Sequence, residues 1–252
     1  MAQNFRHAEI LRLARSTGSV AVEHLAEHFG VTLQTIRRDL GELCDAGQLV
    51  RVHGGAVVPS GVANIGYSER REMNRVEKER IAAAVAAEIP NAASVFLNIG
   101  TTTEAVARAL LGHRDLLVVT NNLNIANILA PNDSVEVIVA GGVLRRADGG
   151  LVGDVTLEIV RHFKVDIAVI GTSGLDADGD LLDYDFREVR VSQAIIRQSR
   201  ETWLAADASK FDRTAPVRIA SLADVDRLFT SASPPEDLAA RCREWNTAVI
   251  VT

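Results

Sequence analysis

Residues 20–43 read VAVEHLAEHFGVTLQTIRRDLGEL. Leu25, Ala26 and Phe29 fall on one side of a first helix, and Gly30 can take the positive φ that a tight turn between helices needs. Thr32 is a suitable N-cap for a second helix, whose inner face carries Ile36, Leu40 and Leu43 at helical spacing. Thr32, Gln34, Thr35, Arg37 and Arg38 are then left facing outward. Amide and guanidinium groups pair with base edges, while hydroxyls and further arginines hold phosphates. The stretch therefore predicts a helix-turn-helix whose second helix reads DNA.

On its C-terminal side, residues 49–52 alternate like a strand, and His53-Gly54-Gly55-Ala56 turns into a second short strand. This hairpin predicts a wing that places Arg51 and His53 beside the duplex backbone. The net charge of −6 is unusual for a nucleic-acid binder. Residues 1–58 hold six arginines against six acids, so a positive face has to come from clustering, with Arg37, Arg38 and Arg51 as its candidates. An arginine pair on a small helical module is also an ordinary solvated face; the ordered turn, cap and wing weigh against that reading.

Composition divides the 252 residues into a head (1–58), a linker and connecting helix (59–89) and a larger domain (90–252). Residues 59–67 are turn formers without a period, and 68–88 lack Gly and Pro and read as one helix ended by Pro90. Beyond it, apolar runs at 94–99, 116–120, 135–140, 165–171, 203–207 and 248–251 alternate with helical segments at 102–111, 123–129, 154–163 and 187–200. That alternation predicts an α/β fold with a doubly wound parallel sheet.

The strand ends carry small and polar residues: Gly100-Thr101-Thr102-Thr103, Asn121-Asn122, Gly141-Gly142, Gly171 and Asp207 with Lys210. Open α/β sheets bind ligands at the carboxyl ends of their strands. A Gly-Thr-Thr-Thr turn entering a helix offers hydroxyls, free N–H groups and the helix dipole to an anion, and Lys210 offers a point charge. Each loop also has a plain geometric reading, and the set together predicts a site for a phosphorylated small molecule. No uncharged apolar run reaches the length of a membrane span, nothing at the start resembles an export signal, and Cys44 and Cys242 match no zinc or disulfide framework. These features predict a cytoplasmic protein with no metal and no cofactor.

VEHLAEHFGVTLQTIRRDLGEL followed by LVRVHGGA resembles the head of the DeoR family of bacterial regulators, and the likeness runs from about residue 7 to residue 230. The resemblance implies a head that binds operator DNA and a sensor domain that binds a sugar phosphate, sharing its fold with ribose-5-phosphate isomerase. It implies a homodimer or homotetramer that represses a carbon-catabolic operon. The stretches IGTTTEAVARALL, VTNNLNIANIL, AGGVLRRADGGLVGDVTLE, DFREVRVSQAIIRQSR and DASKFDRTAPV resemble members that answer to glycerol 3-phosphate. Ser192 and Gln193 stand where the family usually has basic residues.

The isomerases carry two aspartates in an Asp-Gly-Ala-Asp turn, where this chain has Gly171-Thr172-Ser173-Gly174. With that pair missing and Glu188 and Asp207 standing singly, the expectation is binding without turnover. The alternatives are a different sugar phosphate, an isomerase-like enzyme with an appended head, or a head that docks on protein.

Overall fold

The computed structural model describes residues 2–17, 19–46, 48–52, 54–57, 66–211 and 213–252. The chain divides into two compact units, 1–65 and 66–252.

The first unit contains α1 (Ala2–Thr17), β1 (Ser19–Ala21), α2 (Val22–Phe29), α3 (Leu33–Asp45), β2 (Val50–Val52) and β3 (Gly55–Val57). Gly30 ends α2 at φ 62°, the left-handed geometry expected of the interhelix turn. The Thr32 hydroxyl caps α3 by accepting the N–H of Thr35 at 3.2 Å. Ile36 and Leu40 of α3 are fully buried, with Leu25 of α2 and Ile10 and Ala14 of α1 in the same core. The three strands form one antiparallel sheet in the order β1-β3-β2, so β1, which hydropathy did not reveal, completes the wing. The linker expected at 59–67 falls mostly outside the described residues.

The second unit opens with α4 (Tyr67–Glu72) and α5 (Arg75–Glu88). A single helix over 68–88 is therefore not what forms. Asn74 takes φ 52°, and the chain turns there between the two helices. Asparagine tolerates this left-handed geometry better than most residues because its short polar side chain finds local partners. Two of its neighbours explain the break. The Asn74 amide donates to Asp207 at 2.7 Å, and the buried Lys78 ammonium donates to the carbonyls of Arg70 and Met73, the latter at 2.6 Å. Propensity favours continuing the helix, and these tertiary bonds outweigh it.

Next come β4 (Ser94–Leu97), α6 (Thr101–Ala109), β5 (Leu116–Thr120), α7 (Leu123–Leu129), β6 (Val135–Val139) and the hairpin β7 (Val143–Leu144) with β8 (Leu151–Val152). They are followed by α8 (Asp154–Arg161), β9 (Val165–Ile170), β10 (Gly174–Leu175), β11 (Asp180–Asp183), α9 (Phe186–Arg197) and β12 (Ser199–Ala205). The unit ends with β13 (Val217–Ser221), β14 (Arg227–Thr230), α10 (Glu236–Glu244) and β15 (Ala248–Val251). Seven strands form one parallel sheet in the order β6-β5-β4-β9-β12-β14-β15. Strand β14, a half-apolar RLFT, escaped the hydropathy reading.

Alternate residues of each strand face opposite layers. Val95 and Leu97 join Ile81, Val85, Val106 and Ile125 on the side of α5, α6 and α7; Phe96 joins Leu157, Val189, Ile195 and Leu238 on the side of α8, α9 and α10. Full burial of a side chain of this size contributes about 2 kcal/mol, so both layers hold the sheet. Helix α5 is thus part of the sensor core rather than a solvated connector. The strand order reverses between β4 and β9, and the loops leaving these two strands flank the crevice where such sheets take ligands.

Candidate functional sites: a DNA-reading helix and a charged cluster at the sheet's carboxyl edge

In the head, Thr32, Gln34, Arg37 and Arg38 are exposed and Thr35 is half-buried, so α3 presents the outward face that its sequence predicts. Arg38 leans on Glu42 at 3.1 Å, one helical turn away, and is largely exposed. Arg51 reaches from the wing to α3, where its guanidinium donates to the Arg37 carbonyl at 3.2 Å. His53 lies outside the described residues. An open cavity of about 300 Å³ at the start of α3 is lined by Thr32, Gln34, Thr35 and Arg38, and also by Arg6 and Asp39. These last two were not expected. Asp39 is 1% exposed and accepts from Arg6 Nε at 2.8 Å, and His7 Nε2 lies 3.3 Å from it. The carboxylate on the inner side of α3 therefore ties α1 to the reading helix. Burial works to raise its pKa, but Arg6 and His7 together hold it below the usual carboxylate range.

In the second unit, α4 and the turn after it reach residues that follow β4, β5 and β12: Tyr67 bonds Glu104 and Asn124, and Asn74 bonds Asp207. Thr101 follows β4, and its hydroxyl donates to the Arg70 carbonyl at 3.4 Å. Thr102 is buried in the first turn of α6, and the Thr103 hydroxyl donates to the carbonyls of Asn98 and Gly100 at 2.7 and 2.8 Å. Thr103 thus closes its own loop. Asn122 caps α7 through its side-chain oxygen, and its amide donates to Glu104 at 3.3 Å. The Asn121 amide donates to the Leu151 carbonyl at 3.2 Å, and its buried Oδ1 makes no hydrogen bond among the described residues. Gly171 follows β9, where an added Cβ would lie 3.9 Å from the Ile99 carbonyl across the β4–β9 crevice.

Gly141 and Gly142 stand elsewhere. They follow the edge strand β6, the Gly141 carbonyl accepts from Thr156 of α8 at 2.6 Å, and a Cβ on Gly142 would come within 2.0 Å of that hydroxyl. Packing against α8 accounts for Gly142, whereas a Cβ on Gly141 would meet Ile159 at an ordinary 3.5 Å.

Several residues of the cluster are not evident in the sequence patterns. Glu104 of α6 is buried and accepts the Tyr67 hydroxyl at 2.9 Å and the Asn124 amide at 3.0 Å. Burial and then this carboxylate push Tyr67 up to about 12. Arg145 of the hairpin loop forms an ion pair with Glu188 and lies 3.0 Å from Asp148 and 3.4 Å from Asp185. The fold also gives Glu188 a companion: burial first and Asp183 second push it up to about 8. Glu188 is thus not the single carboxylate its sequence context suggests. Both partners are nonetheless held, Asp183 accepting from Ser173 Oγ at 3.2 Å and from the Tyr184 N–H at 2.6 Å, and Glu188 by Arg145. Ser192, one turn after Glu188, donates to its carbonyl at 3.2 Å and accepts from Asn98 at 2.8 Å, so it is buried inside the fold.

At the end of β12, burial works to raise Asp207, but Ser209, Lys210 and Asn74 hold it below the usual carboxylate range. Lys210 is driven down to about 8 by burial and then by Arg213, with Arg70 and Lys78 adding to the effect and Asp207 opposing it. Four cations therefore gather near Asp207, with Glu104 also acting on Lys78 and Asp148 3.6 Å from Arg70. The buried hydroxyl of Ser209 has no partner among the described residues. The chain holds three lysines, and two of them, Lys78 and Lys210, belong to this cluster; their scarcity among the arginines is a sequence signal for Lys78. The arrangement can hold an anion at the Lys210 end and hydroxyl groups at the Glu104–Asn124 end. Among the described residues, no group of three or more His, Cys, Asp or Glu side chains is placed to hold a metal. Nor, among those residues, is any helix long and apolar enough to cross a membrane.

Two family models match this chain, the DeoR-like helix-turn-helix domain over residues 6–62 and the DeoR C terminal sensor domain over residues 73–232. The glycerol-3-phosphate regulon repressor of Escherichia coli (strain K12) is 48% identical over 235 residues, covering 93% of each chain. That of Haemophilus influenzae is 46% identical over 251 residues, 100% of this chain and 98% of the other. Among solved structures, the ribose 5-phosphate isomerase of Methanocaldococcus jannaschii is similar over 55% of each chain, at 12% identity and a TM-score of 0.41. By its helix-turn-helix head, its sensor domain and these end-to-end likenesses, the chain belongs to the DeoR family of transcriptional regulators, a family of DNA-binding switches rather than of enzymes.

Proposed function

We propose that this protein represses a carbon-catabolic operon, and that a phosphorylated metabolite, glycerol 3-phosphate, releases it from its operator. The observation that carries the effector reading is the cationic group Lys210, Arg213, Lys78 and Arg70 near the carboxyl end of β12, where burial and then Arg213 push Lys210 down to about 8 against the opposing pull of Asp207. An anion bound there favours the charged lysine, as any nearby opposite charge does. Gly100, Thr101, Thr102, Asn121, Asn122 and Gly171 line the crevice at which a small polyol chain sits beside it. Relatives named as glycerol-3-phosphate regulon repressors support the choice among phosphate esters.

In the head, Gln34, Thr35, Arg37 and Arg38 read the operator from α3, and Arg51 and His53 hold its backbone from the wing. A homodimer or homotetramer presents two such heads to repeated half-sites. The reading extends to the domain limits 1–58, 59–89 and 90–252 and to action in the cytoplasm.

Calorimetric titration of the purified protein with glycerol 3-phosphate, with glycerol, inorganic phosphate and fructose 1-phosphate as controls, tests the assignment. Saturable heat with glycerol 3-phosphate alone is expected, together with release of a labelled operator fragment over the same concentrations. Heat with fructose 1-phosphate only replaces the effector and leaves the repressor. Silence with every ester removes the anion site.

A further inference from the structure

Ten large apolar side chains are exposed among the described residues, and four of them stand together. Val143 and Leu144 form β7, Val155 lies in the first turn of α8 and Phe186 opens α9; each is between 48% and 63% exposed. Their surroundings make them neighbours. A Cβ on Gly153, just before α8, would lie 3.8 Å from Val143, and one on Gly141, just ahead of β7, would lie 3.8 Å from Val155. Arg145, which follows Leu144, reaches Asp185, the residue before Phe186, at 3.4 Å. Arg190, one helical turn after Phe186, lies 3.4 Å from Asp154, the residue before Val155. The hairpin and the starts of α8 and α9 therefore share one apolar face of the sensor unit.

Scattered exposed apolar residues are ordinary, whereas a contiguous patch with a polar rim marks an interaction surface. The four side chains together present on the order of 400 Å². A standard interface takes about 800 Å² from each partner, a little over half of it apolar, so the patch matches the apolar share of one side. The charges around it select the partner. Asp154 and Glu158 are exposed on α8, and Arg187 and Arg190 are exposed on α9. A face with acids on one flank and arginines on the other repels part of any strongly acidic or strongly basic partner, DNA included. It is complementary to itself: a two-fold axis through the apolar centre sets α8 of one copy against α9 of the other, twice over. Within the chain these groups make only exposed pairs, Arg190 with Asp154 and Arg187 with Asp185 at 3.3 Å, which contribute little and can be shared with a neighbour.

We propose that this face is where a second copy of the chain docks, in a two-fold contact with Val155 and Phe186 near its centre. The inference rests on the homo-oligomer of the function proposed above and gives it a surface. On docking, the four apolar side chains leave water together. The α8 acids and α9 arginines pair at the rim, where they fix register more than affinity.

Sedimentation equilibrium of the full-length protein tests this, with the variants Val155→Glu, Phe186→Ala and Leu111→Glu beside the wild type. Leu111 is also exposed, but it lies just past α6, on the other side of the sheet. The wild type is expected to associate at micromolar concentration. Val155→Glu places a carboxylate in the apolar centre and, by symmetry, does so twice; the dissociation constant of the contact should rise by about 100-fold or more. Phe186→Ala removes an aromatic anchor without changing charge and should raise it by about 10-fold or more. Leu111→Glu should leave it within about twofold of the wild type, as surface changes away from a contact do. All three substitutions fall on exposed side chains, so circular dichroism spectra should match that of the wild type. Wild-type association in Val155→Glu overturns this face and leaves the oligomer standing. Equal weakening by Leu111→Glu also overturns it, because the loss is then not specific to the patch. A monomeric wild type overturns the oligomer and the face together. Should Val155→Glu fail to fold, Phe186→Ala decides alone: an unchanged dissociation constant refutes the proposal, and a raised one with an intact spectrum supports it.

Discussion

At Glu188, burial and the neighbouring Asp183 push the carboxyl up to about 8, against an ordinary value of 4.5, while Arg145 opposes them. The folded protein therefore holds this proton more tightly than the unfolded chain does. By linkage its contribution to stability is fully present below about 4.5 and is lost as pH rises through about 8. Glutamine cannot ionise, so Glu188→Gln should gain stability relative to the wild type over that interval. Melting curves at pH 5, 6.5 and 8 are expected to show the difference in Tm moving in favour of the variant by a few degrees, on the order expected for one or two kcal/mol. A constant difference across the three would mean that Glu188 is already ionised at pH 5. The same scale shows the limit of the sequence patterns. Lys210 and Asp207 can be named from DASK after a strand, but Asp183, Arg145 and Asp148 lie 5, 43 and 40 positions from Glu188. Only a fold brings such residues together.

Among the elements, the wing illustrates how one atom can hold a sheet together. Gly55 pairs with Ala21 of β1, and a Cβ there would lie 2.0 Å from the Val20 carbonyl oxygen. That oxygen is backbone and cannot swing aside, so Gly55→Ala forces the two strands apart. We expect the head to lose about 3 kcal/mol, at the upper end of overpacking costs, and operator binding with it. Effector binding in the second unit should persist. Circular dichroism melts alongside calorimetry check this, and loss of effector affinity in Gly55→Ala would contradict the independence of the two units.

The elements were unequally legible. Helices α2 and α3 follow from a compact apolar face, a glycine turn and a threonine cap, all of them local. Strands β4, β5 and β9 follow from apolar runs that are largely buried, and the edge strand β6 from the apolar run VEVIV, of which only Val135 is buried. The split between α4 and α5 does not follow from local signals, because it depends on Asp207, more than a hundred residues downstream, and on where the Lys78 ammonium finds its carbonyls. Strand β14 is half apolar because it lies near the sheet's edge, between β12 and β15. Of its four residues only Arg227 is partly covered; it is in contact with Glu88 at 3.0 Å, and its guanidinium lies 4.8 Å over the Trp203 ring.

For the whole molecule, the proposed switch is a coupling free energy between two sites, and it must be reciprocal. Arg37→Ala and Arg38→Ala should each weaken operator binding by about tenfold or more and reduce its dependence on salt, since each removes a charge from the reading face. Neither should change effector affinity measured without DNA. With saturating operator present, the wild type should bind glycerol 3-phosphate more weakly by the same factor that the effector lowers operator affinity. Unequal factors would show that the two ligands do not share a single two-state element.

The sequence by itself determined that there is a helix-turn-helix head and a parallel α/β domain behind it. Periodicity, caps and turn glycines act over a few residues, so a single stretch such as 20–43 is enough to read them. The small and polar residues that recur at the strand ends are also a local pattern, and they carry the proposed ligand site. The tertiary structure alone decided which of those residues meet: that Gly141 and Gly142 pack against α8, that Thr103 closes its own loop, and that Tyr67, Arg70, Lys78 and Glu104 join the cluster. The reason is physical. A charge is placed by the burial and the partners that the whole fold gives it, and those partners come from elements far apart in the chain.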